Sequence, residues 1–411
     1  MPHPGPRAAG GSESGKLAPM QTPTRLASDH GQFADPLGAV VPPVYQNSTF
    51  VFDSWDAISD AFADPHAAYL YSRGNNPTVR LAETKIADLC GGDDGRLFAS
   101  GMGAIAAVAM HCLSAGGHAV LVRNVYGPTR TLFQDFLRAK LSIEITEVDG
   151  RDPAEFAAAL RPGTQLIYLE SPTSNLLTLQ DLAAVSKIAR TAGVPTAIDN
   201  SWASPIFQRP LDLGIDYEIH SCTKYLGGHS DLLGGVVVGS ARRMRALSFE
   251  YLHLGATMAP TVAAMLLRSL RTLPLRMAAH AASAAEVARF LSTHPKVETV
   301  RYPGLEDFPQ ADLAAAQMSG SSGLMSIRLK SENVADAKSF VDGLSLFGIG
   351  VSWGGHESLV YVPAISYSRE HPADRLAAAG ISLRDIRLSI GLEAASDLIE
   401  DLRQALATIE G

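Results

Sequence analysis

The chain is predicted to be an α/β protein: a mostly parallel sheet with helices on both faces, followed by a smaller C-terminal α+β domain. Three observations predict this. Short apolar runs of strand length alternate with stretches of helical spacing from residue 79 to residue 199, the pattern of strand–helix–strand units. A long helical passage at 259–291 then separates them from a second, shorter set of strand and helix patterns. Finally, 411 residues exceed one ordinary core, so two domains are expected.

Taken in order, residues 1–23 are rich in Pro, Gly and Ser. They lack the apolar segment of a secretory signal and are expected to be a disordered tail. Residues 24–69 are irregular, with Pro42-Pro43 and Asn47-Ser48 among scattered apolar positions. Such a segment cannot build a core alone and is expected to lie as an arm across a neighbouring subunit. The large domain is placed at 70–265. Its 79–89 segment has helical spacing through Val79, Leu81, Ile86 and Leu89. Residues 101–113 form an alanine-rich helix with little charge, expected to be buried. Strands are expected at 118–122, 166–170 and 195–199, with helices at 153–160 and 181–192. Glu170 and Asp199 end two of these strands, where ligands of parallel sheets are met. Pro274 should interrupt the 259–291 passage. The C-terminal domain, 266–411, should contain extended segments at 297–302, 323–329 and 352–362, a helix at 334–344 and a final helix from Ser396.

Composition narrows the function classes. Hydrophobic residues make up 46% and charged residues 18%, as in soluble globular proteins. Net charge is −8 with no basic block, which argues against a nucleic-acid surface. No stretch approaches the roughly 18 apolar residues of a membrane span. Cys90, Cys112 and Cys222 are scattered, without metal-ligand spacing or a disulfide framework. This usage fits a reducing cytoplasm, and no metal is expected. Cys222 reads as a small buried hydrophobe.

The chemistry concentrates between Asp199 and Lys224. Lys224 follows Ser221-Cys222-Thr223 and precedes Gly227-Gly228. An amine held out of water is neutral at lower pH and serves as nucleophile and base. Asp199 is a carboxylate for a positively charged partner. Ser100-Gly101-Met102 precedes the alanine-rich helix, where backbone N–H groups and close approach suit an anion; Ser221 and Thr223 offer hydroxyls. Tyr126, just past a strand, can stack on an aromatic ring. Arg387, in Asp385-Ile386-Arg387-Leu388-Ser389, suits a carboxylate because its planar fork gives two parallel hydrogen bonds. Ser352-Trp353-Gly354-Gly355 is expected to line the same pocket.

The string PTAIDNSWASPIFQRPLDLGIDYEIHSCTKYLGGHSD at 195–231 resembles the lysine segment of the cysteine/methionine-metabolism family of pyridoxal phosphate (PLP) enzymes. That family includes the cystathionine β-lyases, γ-lyases and γ-synthases. The resemblance extends from Leu26 to the C-terminus, with the major motifs in order. It implies a type I PLP-dependent, aspartate aminotransferase-like fold and a homotetramer of two catalytic dimers. By the same resemblance Lys224 bonds the cofactor aldehyde, Asp199 holds the pyridine nitrogen protonated, and Tyr126 stacks on the ring and assists proton transfer. Ser100, Gly101, Met102, Ser221 and Thr223 hold the phosphate. Tyr71 and Arg73, in Tyr71-Ser72-Arg73, reach the neighbouring subunit's phosphate and substrate. Arg387, Ser352 and Trp353 receive the amino-acid substrate.

The branch signals conflict. Ser352-Trp353-Gly354-Gly355 looks like bacterial cystathionine β-lyases. Pro128 stands where methionine γ-lyases carry cysteine. Residues 363–380 resemble the γ-lyases, and Val351 replaces a tyrosine or glutamate of either branch. Ser174-Asn175 stands where many members have Asn-Pro, so the partner of the cofactor's ring oxygen is left open. The expectation is a cytoplasmic carbon–sulfur lyase that performs β-elimination on cystathionine. A γ-lyase or γ-synthase is the runner-up, and a catalytically silent binding protein with the same fold a further alternative. A nicotinamide dehydrogenase is disfavoured because no GxGxxG opens a strand–helix unit.

Overall fold

A computed structural model describes residues 21–28, 38–64, 68–370 and 379–410. Its first sheet has seven strands: β1 (Asp94–Phe98), β2 (His118–Val122), β3 (Glu144–Val148), β4 (Thr164–Glu170), β5 (Thr196–Asp199), β6 (Tyr217–Ser221) and β7 (Gly235–Gly239). They lie in the order β1-β7-β6-β5-β4-β2-β3. Only β7 runs against its neighbours, and the other pairings are parallel. β2 and β5 are buried along their whole length, so they read as unbroken apolar runs. The edge strand β3 alternates charge with apolar residues and is half-exposed, which hid it from the sequence pattern. β6 was hidden by Glu218 and His220, both fully buried.

Helices cover both faces. Pro77–Cys90 starts where Asn76 accepts hydrogen bonds from Thr78 and Val79 N–H, and it stops at Gly91 in the left-handed region, φ 75°. Gly101–Cys112 and Leu182–Ala192 are capped in the same way by Ser100 and Asp181.

The second sheet contains β8 (Val297–Arg301), β9 (Leu324–Leu329), β10 (Gly348–Ile349), β11 (Leu359–Tyr361) and β12 (Asp385–Ser389), ordered β10-β11-β12-β9-β8. The final helix, Ala395–Ala407, packs Leu398, Leu402 and Leu406 into its core. The two sheets are tied near the cleft. Trp202 Nε1 donates to the Leu324 carbonyl at 3.1 Å, and Gly323 N–H donates to Tyr225 Oη at 2.9 Å.

Three expectations are corrected. The 259–291 passage is two helices, Pro260–Leu270 and Leu273–Ser292, and Pro274 lies in the first turn of the second. There its missing N–H costs nothing, so it starts a helix rather than breaking one. The irregular 24–69 segment contains a helix, Trp55–Ala63, capped by Ser54. The expected tail overlaps a short helix, Thr22–Ala27, whose Leu26 is buried against Ile86 and its neighbours; residues 1–20 lie outside the described residues. So do residues 371–378 of the γ-lyase-like 363–380 segment.

Candidate functional site

The carboxyl ends of β1, β4, β5 and β6 open on one cleft. Past β1 the backbone is extended at Ser100 (φ −158°), whose Oγ accepts from Gly103 N–H at 3.0 Å and starts the helix Gly101–Cys112. The glycine lets the helix start approach β6 closely. A Cβ on Gly101 would stand 3.1 Å from both Cβ and Oγ of Ser221 at the end of β6. The helix start therefore lies against the strand that leads to Lys224, and its first N–H groups have no intrahelical partner. Ser100, Gly101, Met102, Ser221 and Thr223 all line the cleft. The Thr223 hydroxyl also receives Gly234 N–H at 3.1 Å.

The floor carries two carboxyl groups side by side. Glu170 and Asp199 are register partners on β4 and β5, both buried. Asp199 Oδ1 accepts from Ser201 N–H at 2.9 Å. Glu170 accepts from Tyr126 N–H at 2.7 Å and from the Ser174 hydroxyl. Burial raises the pKa of both. Glu170 is pushed to about 8 by burial and by the Asp199 charge. Asp199 is raised by burial and held back by its Ser201 bonds and by His220 and Lys224. Like charges this close keep one proton between them, and the Asp199 environment favours the anion there.

Opposite stands Lys224. Its Nζ donates to Ser352 Oγ at 2.7 Å and lies 5.4 Å from the Trp353 ring centre. Burial, reinforced by the Arg387 charge and opposed by Asp199, lowers its pKa to about 8. Trp353 is half-buried and leans on Tyr225, ring centres 5.5 Å apart. Gly354 follows with φ +80°, and a Cβ there would meet Tyr225 N at 2.9 Å, so the indole loop sits directly on the lysine segment. Arg387 on β12 is buried beneath Tyr361, 4.8 Å from its ring centre, and donates to the Val351 carbonyl at 2.9 Å. Among the described residues it forms no close ion pair, although the Glu170 charge acts on it; burial lowers its pKa to about 10. A buried guanidinium not paired at close range is a ready receptor for a carboxylate.

Tyr126 lines the cleft and is 44% exposed. Tyr71 and Arg73 do not line this cleft. They border a separate groove, where Arg73 donates to the Leu252 carbonyl at 2.7 Å and lies 5.8 Å from the Tyr71 ring centre. Sequence reasoning noted Glu170 as a strand end and as the start of a loop that resembles the family's Glu-Ser-Pro element, and did not count Glu170, Ser174 or Ser201 among the site residues. The register of Glu170 with Asp199 at two aligned strand ends was the available signal. Asn175 is buried, and Ser174 is the residue of that pair that lines the cleft.

A sequence model of the family described as Cys/Met metabolism PLP-dependent enzyme matches residues 24–407. The chain belongs to this family. Its cofactor is pyridoxal 5'-phosphate, and its fold is the type I fold of these enzymes. Individual relatives differ in reaction. The L-methionine gamma-lyase of Pseudomonas putida is 40% identical over 380 residues, 92% of this chain and 94% of the relative. The cystathionine beta-lyase of Coxiella burnetii is 39% identical over 379 residues, 92% and 95% of the two chains. The cystathionine gamma synthase of Xanthomonas oryzae pv. oryzae, solved in complex with cystathionine, superposes with a TM-score of 0.89 at 37% identity and covers 95% of this chain and 98% of that one.

The cleft suits this cofactor. A helix start meets Ser221 for a phosphate, a buried acid for a ring nitrogen ends β5, and a desolvated amine follows β6. Among the described residues no helix is long and apolar enough to cross a membrane.

Proposed function

We propose that the chain is a carbon–sulfur lyase that eliminates the Cβ thiolate of cystathionine, or of a related S-substituted cysteine, to give thiol, pyruvate and ammonia. The observation that carries this reading is the Trp353 indole, wedged between Tyr225 and the amine of Lys224 at the cleft wall. A ring of that size beside the base leaves a narrow slot and holds the Cβ–S bond in one orientation.

In this reading Lys224 would anchor the cofactor, Asp199 would hold its ring nitrogen and Tyr126 would cover its ring. Ser100, Gly101, Met102, Ser221 and Thr223 would hold its phosphate, with Tyr71 and Arg73 contributed by the neighbouring subunit. Bound pyridoxal phosphate supplies an aldehyde for amines and a sink for the electrons left at Cα. Arg387 receives the substrate carboxylate. As a free amine Lys224 would remove the Cα proton, with its Nζ held by Ser352 at 2.7 Å. Tyr126 assists in moving the proton toward the departing sulfur. In this reading Asp199 carries the negative charge of the acidic pair, favoured by its Ser201 bonds against the burial that raises its pKa. The assembly is a homodimer within a homotetramer, and the working compartment is the cytoplasm.

One observation favours γ-elimination or γ-replacement instead. Val351 is 76% exposed next to the carbonyl that Arg387 grips, and it leaves room for a longer substrate. Product analysis separates the two. The purified enzyme is incubated with cystathionine, methionine and homoserine derivatives and the keto acid identified. Pyruvate as the main product supports β-elimination; 2-oxobutyrate overturns it and leaves the PLP site standing.

A further inference from the structure

We propose that Cys90, His220 and Glu218 form a binding site for one divalent transition-metal ion of the zinc class, buried on the strand that leads to Lys224. The three residues come from two distant parts of the chain. Cys90 is the last residue of the helix Pro77–Cys90, and Glu218 and His220 lie two apart on β6. All three are buried, and a thiol sulfur, an imidazole nitrogen and a carboxylate oxygen lie within 4.8 Å of one another.

The distances suit a shared ion. Cys90 Sγ stands 3.7 Å from His220 Nε2. Two ligands at about 2.3 and 2.0 Å from a tetrahedral zinc are separated by roughly 3.5 Å. His220 Nε2 is 2.7 Å from Glu218 Oε1, so entry of an ion opens this contact by roughly half an ångström. The second carboxylate oxygen, Oε2, is buried without a hydrogen-bond partner.

Charge and hydrogen bonding point the same way. Asn200 Nδ2 donates to Glu218 Oε1 at 2.9 Å and to the Gln208 carbonyl at 3.0 Å. Asn200 Oδ1, His220 Nδ1 and both side-chain polar atoms of Gln208 also lack partners. Buried polar atoms in such a concentration call for an ion or a water. A carboxylate and a thiolate sum to two negative charges, so a divalent cation leaves the buried site neutral. On binding, the Cys90 S–H bond breaks and its proton leaves to solvent, the proton shared between His220 Nε2 and Glu218 moves to His220 Nδ1, and sulfur–metal and nitrogen–metal bonds form, with no electron transferred. A water completes the tetrahedron as fourth ligand. The mixed sulfur, nitrogen and oxygen set selects zinc-like ions over magnesium or calcium. Such an ion would pin the helix end to β6 immediately before Ser221.

The test uses the PLP-loaded enzyme produced in zinc-supplemented medium and dialysed against chelator. Elemental analysis is expected to find one zinc per chain. The content should fall about tenfold or more in Cys90→Ser and in His220→Gln and stay unchanged in Cys112→Ser. Folded, zinc-free enzyme overturns the proposal, because it leaves the cluster to ordered water. Zinc retained in Cys90→Ser overturns it too, since the ion then lies elsewhere. If the substituted chains fail to fold, the unaltered enzyme grown in cobalt medium decides: cobalt–thiolate bands to the red of the cofactor absorption support the site, and their absence refutes it.

Discussion

Lys224 Nζ donates a 2.7 Å hydrogen bond to Ser352 Oγ, joining the lysine segment after β6 to the loop before β11. In the proposed mechanism, the amine that anchors the cofactor and serves as base thus depends on a hydroxyl that lies 128 residues away in sequence. Ser352→Ala should retain bound cofactor and lower kcat by about tenfold, the cost of one positioning hydrogen bond. Lys224→Ala should lose several powers of ten, because nucleophile and base vanish together. Steady-state rates with matched cofactor content check both. A Ser352→Ala enzyme with unaltered kcat would remove that hydroxyl from the positioning of Lys224.

Arg387→Lys keeps the charge and loses the planar fork. The expected result is a fall in kcat/KM of about a hundredfold for amino-acid substrates, equal to about 2.7 kcal/mol, with the cofactor spectrum unchanged. Near-normal kcat/KM would mean that the carboxylate is held by another group.

Tyr71 and Arg73 border a groove apart from the Lys224 cleft of their own chain. A shared site predicts complementation between subunits. Arg73→Ala and Lys224→Ala proteins, each inactive, should regain activity when mixed, because one hybrid site receives both intact parts. Verified subunit exchange without recovery contradicts the shared site.

The Lys224 amine also makes stability of the cofactor-free protein depend on pH. Burial first, then the Arg387 charge, lowers its pKa to about 8, against roughly 10.4 in an unfolded chain. The unfolded state therefore binds the proton more tightly. Stability is complete above the unfolded value and is lost as pH falls through the folded one. Lys224→Met removes this penalty, and at pH 7 the apo variant should be more stable than the parent by up to about 3 kcal/mol. The gap should shrink as pH approaches roughly 10.4. Denaturant titrations at both ends of the range check this; a gap that does not change with pH disproves it.

Trp353→Leu opens the cleft wall beside Lys224. The expected outcome is a lower rate of pyruvate formation and a larger share of 2-oxobutyrate from substrates that can give either. An unchanged product ratio would remove the indole from the choice of reaction.

The α/β alternation and the central strands were legible in the sequence for physical reasons, and the roles expected of Lys224, Asp199 and Arg387 were read from it by resemblance. Strands buried on both faces, such as β2 and β5, must be apolar throughout. The lysine segment and the arginine strand are contiguous strings whose residue types the chemistry dictates. Other features arise only when distant segments meet. β6 carries Glu218 and His220 into the interior, and that polarity makes sense only with Asn200 and Cys90 packed beside it. The Glu170–Asp199 pairing depends on the register of two parallel strands, and the hold of Ser352 on Lys224 on how the second sheet docks. Sequence determined which groups this protein possesses, because backbone periodicity and side-chain chemistry are local. Tertiary structure decided which of them are neutral, charged or shared, because desolvation and Coulomb forces depend on neighbours that chain order does not name.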